Sequence, residues 1–156
     1  MRKLALILFP LLFLSFSSFA ANDKTPKDFK LVFRSSAGAL ERATTETVVV
    51  VKGSITVNRS AEVVGEGGGK TPYTRTYQIS DAQLDELYQA ILSSGFLTWP
   101  KSADGSHQST VEEFFDITAD GKTVTHGRWE QANQETFRAF YDRYNSWFNS
   151  VRTARF

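Results

Sequence analysis

Apolar and polar positions alternate over Phe29, Leu31 and Phe33, with Lys30, Val32 and Arg34 between them. A period of two marks a strand with one buried face. Residues 35–40, with Gly38, read as a turn. Residues 44–51 are rich in β-branched side chains and predict a second strand, and Lys52-Gly53 turns the chain back into a third over Ser54–Asn58. A fourth strand follows over 74–79.

The pattern then changes period. Leu84, Leu87, Tyr88, Ile91 and Leu92 fall on one face of a helix. Ser80 with Gln83 three residues later forms a capping box, and Ile79 and Leu84 stand at the two positions of a hydrophobic staple. Gly95 sits where a left-handed residue stops a helix, with Phe96 placed to close onto Ile91. The spacing predicts a helix over 81–94. Residues 96–100 form an apolar tail and 101–110 a polar loop. Strands are predicted over 111–118 and 123–129, joined by a turn at Asp120-Gly121. Phe137, Phe140, Tyr141, Tyr144, Trp147, Phe148 and Val151 keep helical spacing over four turns, with Asn133 as the candidate N-cap. The order β-β-β-β-α-β-β-α predicts an α+β fold. Its sheet should hold about six mostly antiparallel strands, with both helices on one face. The other face is expected to stay polar or to meet a partner.

The first residues set the compartment. Arg2 and Lys3 precede an apolar run, Leu4 to Leu14, and Ser18-Phe19-Ala20 places small residues before a cut after Ala20. That is the layout of a secretory signal peptide, and the run is too short to span a bilayer. The chain divides into a signal peptide over 1–20, a flexible leader over 21–27, one domain over 28–152 and a tail over 153–156. The expected location is the periplasm or the medium of a Gram-negative type of cell. Cleavage would leave 16 of the 18 basic residues against 17 acidic ones, a formal charge of −1 in place of +1. So balanced a chain gives nucleic acid or an anionic membrane surface no bulk attraction. With no cysteine in the sequence, the domain has no disulfide and no thiolate chemistry.

Gly65-Glu66-Gly67-Gly68-Gly69-Lys70-Thr71 resembles a phosphate cradle at first sight. A P-loop requires its first glycine five places before Gly69, where Val64 stands, and a helix after Thr71, where Pro72 and a strand follow. The segment reads as a flexible linker between strands. No motif asks for a cofactor, and no catalytic residue is assigned. A metal or hydrolytic site can be drawn from His126 with Glu113 or Asp116 on the facing strand, but the spacing fits no established ligand pattern. His107 lies in a polar loop near Asp104. The carboxylate neighbours Glu112 and Glu113 point to opposite faces of a strand and cannot share a proton.

Tryptophan and arginine dominate protein interfaces. Arg128, Trp129 and Trp99 are therefore the candidate binding residues, with the loop 61–72 beside them. The run Ile79-Ser80, Leu84, Leu87-Tyr88, Gly95-Phe96, Trp99-Pro100, followed by strand, Asp120-Gly121-Lys122, strand and helix, resembles the layout of emfourin-type inhibitors of bacterial metallopeptidases. It covers roughly residues 73–150. The resemblance implies a small protein-binding domain, a peptidase inhibitor, and transfers no individual residue's role. The expected function is that of an exported protein-binding domain, an inhibitor or an immunity-type factor, whose partner lies in the cell envelope or outside the cell. The alternative is an envelope hydrolase or metal-binding protein built on His126 with Glu113 or Asp116.

Overall fold

The structure, a computed structural model, describes residues 24–37, 44–61, 72–100, 111–128, 130 and 133–154. The expected signal segment, residues 65–71, His107 and Trp129 lie outside the described residues. The strands are β1 (Lys30–Ala37), β2 (Thr44–Val51), β3 (Ser54–Ala61), β4 (Tyr73–Gln78), β5 (Val111–Ala119) and β6 (Lys122–Gly127). The helices are α1 (Asp81–Ser94) and α2 (Gln134–Thr153), with a 3-10 turn at Phe96–Thr98. The six strands form one sheet in the order β4-β3-β2-β1-β5-β6, antiparallel throughout. This is the expected α+β fold.

Turn chemistry sets the registers. Asp120 and Gly121 both adopt positive φ, 51° and 72°, the conformation of a tight hairpin whose twist matches that of the strands. Gly53, at φ 83°, closes the β2–β3 hairpin. The capping box of α1 forms as expected: Gln83 N donates to the Ser80 hydroxyl at 3.2 Å and Ser80 N to the Gln83 side chain at 2.9 Å. Gly95, at φ 71°, ends the helix. At α2 the expected N-cap position holds, but not the expected bond. Asn133 occupies the N-cap position, but its side chain makes no cap hydrogen bond. Its amide is committed to tertiary partners, described below.

The registers stack the inner face of the sheet into ranks that cross the strands. One runs Tyr77, Ile55, Val50, Leu31, Ile117, Val124, and the next Arg75, Val57, Val48, Phe33, Phe115, His126. Both helices lie on this face. α1 buries Leu84, Leu87, Tyr88 and Ile91, and α2 buries Phe137, Phe140, Tyr144, Trp147, Phe148 and Val151. The Trp147 indole N–H donates to the Gln83 carbonyl at 2.8 Å and ties the helices together. The opposite face is mainly polar. Thr125 donates to Asp116 at 2.7 Å, the hydroxyls of Thr118 and Thr123 meet at 2.8 Å, and Val32 and Val49 sit side by side near its centre.

The leader expected over 21–27 is anchored where it is described: the Thr25 hydroxyl and amide both donate to the Asp85 carboxylate on α1. Next to it, Asp28 accepts from the amides of Gly121 at 2.6 Å and Asp120 at 3.0 Å. The Gly121 N–H is the main cause that holds the Asp28 carboxyl below the ordinary 3.8, against a smaller opposing effect of burial. Asp85 is lowered in the same way, first by the Thr25 hydroxyl. A carboxyl whose folded pKa is depressed stabilises the fold above its unfolded pKa, and that contribution vanishes as pH falls through the folded value. Asp28→Asn is therefore expected to lower the urea midpoint at pH 7 and to flatten its fall below about pH 4. Equal acid limbs in the two proteins would exclude this turn as a source of acid sensitivity.

Candidate functional site

The inner face turns polar one rank beyond Phe33, where Tyr73, Arg59, Glu46, Ser35 and Glu113 follow one another across five strands. β1, β3 and β6 end at this end of the sheet, and β2, β4 and β5 begin there. The described strand ends Ala37, Thr44, Ala61, Tyr73, Val111 and Gly127 thus all stand at one end of the sheet. Residue-rich loop ends of this kind, set on a rigid sheet, are where proteins commonly place recognition.

Arg128 continues the β5–β6 ladder by one residue, its N–H donating to the Glu113 carbonyl at 2.9 Å. Its guanidinium pairs with the Glu113 carboxylate at 3.0 Å, and the other carboxylate oxygen accepts from the Tyr141 hydroxyl at 3.3 Å. Glu113 is buried, whereas the Arg128 side chain keeps 59 % exposure. Arg128 therefore compensates a buried charge with one edge of its guanidinium and presents the rest outward. Burial, with the adjacent Glu113 carboxylate, raises the Tyr141 pKa, so its hydroxyl remains a donor. A cavity of about 510 Å³ opens here between β5 and α2, with Phe137 as its apolar wall and Arg138 and Asp142 at its rim. The pairing was legible in the sequence. Asp120-Gly121 is a two-residue turn that places Ala119 opposite Lys122, and six positions further along each strand bring Glu113 opposite Arg128.

His126 lies deeper on the same face, fully buried. Its Nδ1 meets the Glu130 carboxylate at 2.8 Å. The same oxygen accepts from the Asn133 amide at 2.9 Å, and that amide also donates to the Pro100 carbonyl at 2.9 Å. The second Glu130 oxygen accepts from Gly127 N–H at 3.3 Å. The imidazole packs on Phe96 and Trp99, at 4.9 and 5.3 Å between ring centres. Its Nε2 has no hydrogen-bond partner among the described residues. Sequence reasoning missed Glu130, because nothing near it in the chain announces that a buried imidazole will need an acceptor.

The drawn site of His126 with Glu113 or Asp116 is not assembled. Asp116 lies on the opposite face of the sheet, bonded to Thr125 and 3.8 Å from Arg34. Glu113 shares the His126 face but commits both oxygens to Arg128 and Tyr141. No group of three His, Asp or Glu side chains able to hold a metal ion stands together among the described residues. Trp99, expected to be a contact, is half-buried. Its indole N–H donates to the Ser94 carbonyl at 2.9 Å and its ring rests on Phe96 at 4.8 Å, so it closes the end of α1. Of the three candidate binding residues, Arg128 alone is described as a side chain facing outward.

The fold and these clusters define an antiparallel α+β domain with one helix-covered face and an arginine-marked cleft at its loop end. Compared with protein-family models and with curated proteins, the chain matches none. No helix among the described residues is long and apolar enough to cross a membrane.

Proposed function

We propose that this is an exported binding domain that recognises a partner protein in the cell envelope or outside the cell, through the cleft marked by Arg128. The observation that carries the reading is the state of that arginine. It is anchored by Glu113 at 3.0 Å, yet more than half exposed, and stands beside the apolar wall of Phe137. An arginine held by one edge next to an aromatic ring is pre-organised for a carbonyl or carboxylate that a partner brings with an apolar side chain. The signal-peptide layout supplies the compartment. The resemblance of residues 73–150 to emfourin-type inhibitors adds a finer version, in which the partner is a bacterial metallopeptidase.

The test uses the purified protein as bait against envelope and culture-supernatant extracts, beside Arg128→Ala and Lys122→Ala. Lys122 lies at the far end of β6 and serves as the control. A protein captured by the parent and by Lys122→Ala, and reduced at least about tenfold by Arg128→Ala, supports the reading, since a central interface arginine contributes that much or more. Capture unaffected by Arg128→Ala would place recognition elsewhere, and no capture in either extract would remove the proposal. Stoichiometric inhibition of a captured metallopeptidase would establish the finer version.

A further inference from the structure

A second cleft lies on the same polar rank, further along α2. It measures about 380 Å³, within the range of small-molecule sites. Phe33, Tyr144 and Phe148 form its aromatic side, and Glu46, Arg59 and Arg152 bring charge to it. It is distinct from the Arg128 cleft, although Tyr141 borders both.

Two polar atoms in this cleft have no hydrogen-bond partner among the described residues: the Tyr144 hydroxyl and the Arg59 Nε. Tyr144 is 1 % exposed. Its ring is fixed, stacked on Phe148 at 5.9 Å with planes 5° apart and in contact with Phe33 at 5.4 Å. Burial raises its pKa, so the group is a neutral O–H donor. A buried hydroxyl left unpaired costs free energy and calls for a partner, an ordered water or a bound group. The charges have a direction too. Arg59 is matched by Glu46 at 2.9 Å, while Arg152 lies over the Phe148 ring at 5.4 Å, with no second carboxylate among the described lining residues. One positive charge is thus left over beside an unused donor and an aromatic wall.

We propose that this cleft binds a small monocarboxylate carried on an apolar body. The carboxylate takes the Tyr144 O–H and the Arg152 guanidinium, and the apolar body lies against the aromatic side. The aromatic side explains why the body should be apolar, and the single uncompensated arginine why the anion should be singly charged.

The probes are benzoate, its neutral isostere benzamide and its cationic analogue benzamidine, titrated into the purified, isotope-labelled protein and followed by amide chemical shifts. Benzoate is expected to shift Ser35, Thr44, Asn145 and Asn149, which line the cleft, and to leave Lys122 unmoved. A probe of this size should bind with Kd on the order of 1 mM. Benzamide and benzamidine should bind at least about fivefold more weakly, and Tyr144→Phe should weaken benzoate by about tenfold, the usual worth of a hydrogen bond to a charged group. Arg152→Gln, at an exposed position that leaves the core intact, should weaken it by about fivefold. No cleft shifts at about 20 mM benzoate, well above the expected Kd, would overturn the proposal. So would equal binding of benzoate and benzamide, or unchanged affinity in both variants.

Discussion

Phe115→Ala is expected to lower the unfolding free energy by about 3–5 kcal/mol, in the range for buried phenylalanines. Phe115 is fully buried on β5, in the second rank of the sheet. Its ring meets Phe33 of β1 at 4.7 Å, Phe140 and Tyr144 of α2 at 5.0 Å each, Phe137 at 5.6 Å and Phe96 at 6.1 Å. The neighbours belong to a strand, a helix and the 3-10 turn, so no single shift of one element can fill the space. The cavity term therefore adds in full to the lost transfer term. A domain of this size is stable by about 5–15 kcal/mol, so the loss is about a fifth of the total or more. Equilibrium urea unfolding measures it. Phe114→Ala is the comparison, since Phe114 faces the other side, is half-buried and carries the Arg34 guanidinium at 5.4 Å. It should cost less than about 1.5 kcal/mol. Similar losses at the two positions would mean that the helices do not pack on the sheet as tightly as the ring distances state.

The contrast between the two neighbours follows from period-two alternation, and that part of the fold was legible in the sequence. So was α1, because its start and stop signals act within one turn: Ser80 and Gln83 satisfy each other, and Gly95 adopts a conformation other residues avoid. The strand order was not legible. β1 lies between β2 and β5 because α1 carries the chain from the β4 edge across the inner face, and no local residue pattern encodes that return. The candidate site was legible only in part. The hairpin turns place Glu113 opposite Arg128 and Glu46 opposite Arg59, which the two-residue turns at Asp120-Gly121 and Lys52-Gly53 determine by counting. The same parity separates Asp116 from His126, so that grouping contradicted information already in the strand pattern. Asn133 was legible in position but not in bonding. Its position is that of a cap, but the buried acceptors at Glu130 and Pro100 compete for its amide and take it. Local preference set the place of the residue, and tertiary demand set its bonds.

That competition makes Glu130 the second position of large expected effect. Its carboxylate is the shared acceptor for His126 Nδ1, the Asn133 amide and the Gly127 N–H. Glu130→Ala removes the acceptor and leaves the three donors in a site where His126 is fully buried and Asn133 nearly so. Unsatisfied donors cost about 1–3 kcal/mol each when water cannot reach them. Partial relaxation of Asn133 towards the Pro100 carbonyl, which it already holds at 2.9 Å, offsets some of this. The expected loss is about 3 kcal/mol. Glu130→Gln keeps one carbonyl acceptor but turns an N–H₂ group towards donors, so it should fall between the parent and Glu130→Ala. The decisive comparison is the double variant His126→Phe with Glu130→Leu. Replacing both partners by apolar groups removes the imidazole donor, one of the three, and Phe96 and Trp99 already offer the ring at position 126 an aromatic surface. The double variant is expected to be more stable than Glu130→Ala alone and, set against the single variants His126→Phe and Glu130→Leu, to show a coupling of at least about 1 kcal/mol. Additive losses would show that His126 and Glu130 stabilise the fold independently, and that the contact between them adds nothing beyond their separate packing.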